Sequence, residues 1–325
     1  MIDIKDQIIE NLKKANPPQG NYIPPNDTFS QILDRVVLNQ TDKSTFRSIT
    51  FITKKYSRGL DEFRKNNLLL GEQYVDEGDI WFNRFPNGSL KDLINVFRLP
   101  TVAYLNFKLL KFDLSQKQIQ EAFNIDESLE KDDFYFLHFH RIQQLQNIAR
   151  LLFAQKLFKE WSEAMLEILL YLTKFQSPGY GGSWGEKHVT DCPVHWRFSA
   201  MYQLLIEAIT FNNYASAYTD ESGHSLLDSV ISKIPSFEVK SKDELALLKW
   251  IMIQNNSNLE ERITSTFEFI EEEDSKFDIL KVAALESLNK KIVYPNNEKE
   301  VGSATYKFVT TKLSVPNKVL NSFYQ

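Results

Sequence analysis

Along most of this chain apolar side chains recur at intervals of three and four residues, the spacing that gathers them on one face of an α-helix. The clearest stretch is 136–175, free of Gly and Pro, in which Ile142, Leu145, Ile148, Leu151, Leu152, Ala154, Leu157 and Trp161 keep that interval. It predicts one long helix or two stacked ones. The same reading predicts helices over 2–14, 196–212, 222–233, 242–255, 258–272 and 276–290, punctuated by Asn, Ser, Asp and Pro. Between 59 and 125 the pattern is helical with breaks at Gly71, Gly78, Pro86-Asn87-Gly88 and Pro100. Two segments read differently. SITFITKKY at 48–56 and VGSATYKFVTTKLSV at 301–315 are rich in β-branched and aromatic residues, and both predict strands. The expected fold is mainly α: paired antiparallel helices in an α/α-toroid-like, helical-repeat or bundle arrangement, with minor β segments. No consensus recurs at a fixed period.

Four prolines, Pro17, Pro18, Pro24 and Pro25, follow the first helix. They divide the chain into a helix with a Pro-rich connector at 1–25 and a single mainly helical domain at 26–325, with Asn26 or Asp27 as a helix cap. A formal charge of -5 and a pI near 5.7 argue against nucleic acid and anionic membrane as partners, because phosphate-binding surfaces concentrate basic residues. LSQKQIQEAFNI at 114–125 has the look of the first half of a helix-turn-helix. The acidic DESLEKDDF that follows would repel phosphate. The remaining partner classes are an apolar small molecule and another protein. A single cysteine and a start without a secretory pattern give a cytoplasmic expectation, and no apolar run approaches the ~20 residues of a membrane span.

Four of the eleven glycines fall between 179 and 185, in FQSPGYGGSWGEKH. Such a loop lets the backbone approach its neighbours closely and lay Trp184 against adjacent helices. Gln176, the Gly-Gly-Ser-Trp-Gly at 181–185, Glu186 and a following helix with small and apolar residues at 199–208 resemble the glutamine-tryptophan motif of terpenoid cyclases and protein prenyltransferases. The resemblance spans about forty residues. It implies an α/α toroid whose helix pairs are stapled by the loop, with a site for an isoprenoid-like or other apolar substrate beside Trp184, Glu186 and Trp196. It also implies a search for catalytic acids. Asp132 and Asp133, in the string Glu130-Lys131-Asp132-Asp133, stand nearest to the acidic motif of one cyclase class, and clustered carboxylates share raised pKa values that suit a proton donor. The stretch 26–34 has the look of the magnesium-binding Asn/Ser/Glu motif of the other class, although a helix cap accounts for it better.

His188, Asp191, Cys192 and His195 lie within eight residues and are of the types that hold zinc. The adjacency of Asp191 and Cys192 favours His188, Cys192 and His195 as the ligand set. The same cysteine beside either histidine has the makings of a thiolate-imidazole pair, whereas a polar loop with a half-buried thiol is the plainer account. Zinc and magnesium are therefore the cofactors to look for. His138 and His140, in FYFLHFHRI, read as aromatic packing with polar tips.

Overall fold

The segment at 48–56 lies inside a 22-residue helix, Lys43–Arg64, and is not a strand. Its buried positions are Ile49, Ile52, Tyr56, Gly59 and Phe63, a helical interval that the run of β-branched residues conceals. Asp42 starts the helix: its carboxylate accepts from the amides of Ser44 at 2.7 Å and Thr45 at 3.1 Å. The second expected strand is corrected for the same reason. It falls in the helix Glu298–Lys312, where Val301, Thr305, Phe308 and Val309 turn inward. In both places burial of one face outweighs β-propensity, which measures fit to a half-buried surface more than a backbone preference. The isolated bridge between Thr219 and Ser225 is the one β pairing among the described residues.

This computed structural model describes residues 4–20, 28–132, 134–216, 218–219, 224–291 and 298–324. The proposed cap at Asn26 or Asp27 lies outside them. Sixteen α-helices occur among the described residues. In chain order α1 is Ile4–Lys14, α2 Thr28–Gln40, α3 Lys43–Arg64, α4 Leu68–Arg84 and α5 Ser89–Lys108. Then come α6 Phe112–Glu130, α7 Leu137–Ala154, α8 Phe158–Lys174, α9 Glu186–Thr190, α10 Val194–Tyr214 and α11 Leu226–Ile231. The last are α12 Lys242–Asn255, α13 Leu259–Glu272, α14 Asp278–Lys291, α15 Glu298–Lys312 and α16 Asn317–Tyr324. The chain forms two compact units, Asn26–Trp196 and Met1–Pro25 with Arg197–Gln325.

The unit at 26–196 carries a structural repeat. Helices α3 and α4, α5 and α6, and α7 and α8 are each joined by the same three-residue corner. Its middle residue is left-handed: Asn66 at φ 65, Leu110 at φ 58 and Lys156 at φ 60, spaced 44 and 46 residues apart. Each corner closes with the same pair of bonds. The amides of Asn67, Lys111 and Leu157 reach back five residues to Glu62, Asn106 and Leu152, and those of Asn66, Leu110 and Lys156 reach Phe63, Phe107 and Phe153. A left-handed residue other than glycine costs about 1 kcal/mol, so three such corners in register mark one construction used three times. The sequence signature is a Phe three residues before the left-handed position and Leu or Phe two after it: FRKNNL, FKLLKF and FAQKLF. In the second and third corners the two rings meet, with centroids 6.1 Å apart for Phe107 and Phe112 and 5.4 Å for Phe153 and Phe158.

Of the breaks expected between 59 and 125, the Pro86-Asn87-Gly88 turn separates α4 from α5. Gly71 and Gly78 instead lie inside α4, where they let it pack hard on α3. A Cβ on Gly71 would stand 2.3 Å from the Phe63 ring, and one on Gly78 would stand 2.8 Å from Tyr56. Pro100 is accommodated within α5. The helix-turn-helix look of 114–125 disappears because α6 runs unbroken to Glu130.

In the other unit α1 buries Ile8 and Leu12 in a core with Ile263, Phe267, Leu285, Val301 and Phe308. Charged side chains inside this unit are bonded structurally. Arg197 pairs with Glu244 at 2.9 Å, Lys281 with Asp278 at 3.0 Å, and Arg262 donates to the Gln254 carbonyl at 2.9 Å. No helix among the described residues is long and apolar enough to cross a membrane.

Candidate metal centre

Helix α7 is unusual in what it buries. His138, His140, Arg141, Gln144 and Gln146 all turn inward, against an α6 face that presents Asp126 and Glu130 one turn apart. Buried polar groups persist only where they are paired, and here two carboxylate-histidine pairs form side by side. Asp126 Oδ2 meets His140 Nδ1 at 2.8 Å, and Gln144 Nε2 approaches the same ring at 3.1 Å. Burial pushes the Asp126 carboxyl up to about 6, against the pull of His140. The second pair, Glu130 and His138, belongs to a larger arrangement.

The Gly-Trp loop folds over that second pair and is held from three helices. Glu167 of α8 accepts the Gly179 amide at 2.9 Å, and Glu127 of α6 accepts the Ser183 amide at 3.2 Å. Arg141 of α7 donates to the Ser183 carbonyl at 2.8 Å. Gly182, at φ 102, supplies a backbone conformation that side chains avoid. Trp184 closes the loop on itself by donating to the Tyr180 carbonyl at 3.0 Å, while its ring sits among Tyr171, His138 and Phe123 with centroids 4.9, 5.4 and 5.9 Å away.

Underneath, three side chains from three segments converge. Glu130 ends α6, His138 opens α7 and His188 lies on the short α9 beyond the loop. Their ligand atoms all lie within 4.8 Å of one another, with His138 Nδ1 3.4 Å and His188 Nδ1 3.8 Å from the same oxygen, Glu130 Oε2. The two imidazoles stack at 4.9 Å with 16° between their planes. His138 is fully enclosed and Glu130 nearly so, whereas the His188 side chain is 39% exposed. Arg141 pairs with Glu130 at 3.1 Å.

The hydrogen-bond chain fixes what each atom offers. The hydroxyl of Tyr171 has one proton and donates it to the Gly185 carbonyl at 3.0 Å, since a carbonyl has none to give. Its oxygen therefore accepts from His138 Nε2 at 2.7 Å. Burial pulls the His138 pKa below its ordinary value, which keeps the ring neutral. A neutral ring protonated on Nε2 turns the Nδ1 lone pair toward the Glu130 carboxylate. In that tautomer the Nδ1 lone pair would face Glu130 Oε2 at 3.4 Å, beside the Arg141 guanidinium, which donates to the same oxygen at 3.2 Å.

The residues singled out in the sequence fall as follows. His188 joins the convergence. Cys192 is buried, and burial pushes its thiol up to about 12, reinforced by Glu130 and Asp191. His195 is exposed in the first turn of α10, and neither it nor Cys192 completes a three-ligand group with His188 among the described residues. Trp184 is half-buried, Glu186 is exposed at the start of α9, and Trp196 is buried edge-on to Phe139 at 5.4 Å. Asp132 is exposed, and Asp133 lies outside the described residues. In the sequence Glu130 stands out only as part of an acidic string and His138 as aromatic packing, and Tyr171 is not singled out. The signal available was two histidines in an apolar helix start, eight residues after a carboxylate that ends the preceding helix. No family model, curated protein or solved structure matches the chain.

Proposed function

We propose that the unit at 26–196 is a metal-binding helical repeat whose Gly-Trp loop seals a centre made by Glu130, His138 and His188. The observation that carries this reading is the convergence of ligand atoms of Glu130, His138 and His188 within 4.8 Å of one another, with His138 and Glu130 enclosed. Two imidazoles and one carboxylate suit a divalent first-row transition ion, zinc foremost, better than magnesium, which prefers an all-oxygen shell. The Glu130–His138 spacing already approximates an edge of a tetrahedral zinc site, about 3.4 Å. A small rotation of the half-exposed His188 ring brings in the third ligand. Three protein ligands with a solvent-facing side are the pattern of a site that keeps a position open for water or substrate.

Titration calorimetry of chelator-stripped full-length protein with zinc chloride tests the proposal, with elemental analysis as a second readout. One equivalent should bind. His188→Ala should weaken binding at least ~100-fold while leaving the helical circular dichroism unchanged, and Tyr171→Phe should weaken it about 10-fold by freeing the His138 tautomer. Cys192→Ser and His195→Ala should bind as wild type. A wild-type protein that takes up no ion, or a His188→Ala variant that binds normally, ends the proposal.

A further inference from the structure

Helix α13 wears a face of one sign. Its exposed positions are Glu260, Glu261, Thr264, Glu268, Glu271 and Glu272. Its one basic residue, Arg262, is buried and held by the Gln254 side chain and carbonyl. Glu272 meets Lys249 at 3.0 Å, whereas Glu260, Glu268 and Glu271 form no ion pair among the described residues. Beside this wall α12 carries a line of apolar positions at helical spacing, Leu245, Leu248 and Met252, of which Leu245 is 43% and Met252 62% exposed. Between the two helices lies a groove of about 520 Å³, floored by Leu248, Ile251, Met252 and Phe269 and edged by Glu268 and by Lys249 paired with Glu272. A second depression, edged by Glu260 and Glu261, adjoins it through the shared Asn256, Ser265 and Glu268.

We propose that this groove receives a basic amphipathic helix from a protein partner. An apolar floor calls for apolar anchors, and a wall whose Glu260, Glu268 and Glu271 form no ion pair among the described residues calls for lysine or arginine beside them. The same charge repels nucleic acid and anionic membrane. From Glu260 to Glu272 the wall runs about 18 Å, room for roughly three turns of a docked helix. Met252, the most exposed of the apolar floor, is the central anchor contact. The groove lies wholly in the unit formed by residues 1–25 and 197–325 and is independent of the metal centre.

The probe is a fluorescein-labelled 18-residue peptide of Leu, Lys and Ala with Leu at i, i+3, i+4 and i+7, read by anisotropy against the full-length chain. Saturable binding with Kd of about 10 μM or tighter is expected, weakening about 10-fold between low and physiological salt as screening sets in. A peptide of identical composition scrambled to break the stripe should bind at least ~10-fold more weakly. Met252→Asp, and separately the double variant Glu268→Lys with Glu271→Lys, should each lose about 10-fold or more in affinity with melting temperature unchanged. Equal binding of the scrambled peptide would reduce the effect to charge adsorption and overturn the proposal. So would variants that bind as wild type, or no saturable binding. Light scattering that shows a dimer dissolved by Met252→Asp would also overturn it, by assigning the groove to a second copy.

Discussion

The guanidinium of Arg141 lies over the indole of Trp184, 4.2 Å from the ring centroid, and makes the Glu130–His138–His188 group and its covering loop one structure. The same group pairs with Glu130 below and binds the Ser183 carbonyl above. Cation-π attraction in such a sheltered place contributes roughly 1–2 kcal/mol. Trp184→Ala should therefore lower stability by about 2–3 kcal/mol and open 176–185 to proteolysis, while Trp184→Phe keeps a ring over Arg141 and loses less than half of that. Chemical denaturation with limited proteolysis checks both, and an unchanged denaturation midpoint for Trp184→Ala would refute the clasp.

Gly182 and Gly181 are neighbours with opposite expectations. At φ 102, a Cβ on Gly182 would also stand 2.8 Å from Glu127 Oε2 and 3.2 Å from Arg141 Nη2. Nothing lies within 4 Å of a Cβ on Gly181. Gly182→Ala should cost about 1–3 kcal/mol, combining backbone strain with displacement of two loop anchors. Gly181→Ala should stay within about 0.5 kcal/mol of wild type. Thermal melts of the two variants side by side decide it, and equal melts would show that the conformation at Gly182 is not required.

Cys192 should behave as a packed apolar residue. With its thiol pushed up to about 12, it stays protonated through neutral pH. Labelling by a disulfide reagent at pH 8 should be at least ~100-fold slower than for an exposed thiol of pKa about 8.5, and should become rapid in denaturant. Fast labelling of the folded chain would restore the nucleophile reading.

Asp126 gives a pH signature of unusual sign. Its folded pKa, about 6, stands above the ordinary carboxylate value, so between pH 4 and 6 the folded state holds a proton that the unfolded state has released. The wild type therefore gives up stability as pH rises through this window, on the order of 2–3 kcal/mol by pH 7. A carboxamide in its place cannot ionise. Asp126→Asn should consequently gain on the wild type between pH 4 and pH 7.5 in denaturant titrations, and a constant difference across that range would exclude this origin.

Much of the helical framework was legible because its signal is periodic. The α12 and α13 boundaries were readable from apolar spacing, and from Ser241 and Asn258, whose side chains cap those helices. For 136–175 one long helix and two stacked ones were both open; the chain takes the second, α7 and α8, and the place of the break was not readable. Its corner uses Gln155, Lys156 and Leu157, none of them a residue that normally announces a turn. The repeat was missed for the same cause, since its signature is a pair of large apolar residues around a left-handed position of variable type. At the site, His188 was visible because it stands in an odd stretch of sequence. Glu130 and His138 were hidden because each looks ordinary alone, one as a helix end and the other as a histidine among aromatic residues.

The three corners are alike in length and hydrogen bonding, whereas the joints that follow each hairpin differ: 85–88 after α4, 131–136 after α6 and 175–185 after α8. Every proposed ligand borders a joint, with Glu130 and His138 on either side of one and His188 just beyond the next. The corners set the pitch at which hairpins are added, and the joints are where chain can be lengthened or rewritten without disturbing that pitch. A group of side chains gathered at the joints can thus be altered by editing a few residues between hairpins, while the hairpins themselves continue to supply nearest-neighbour packing.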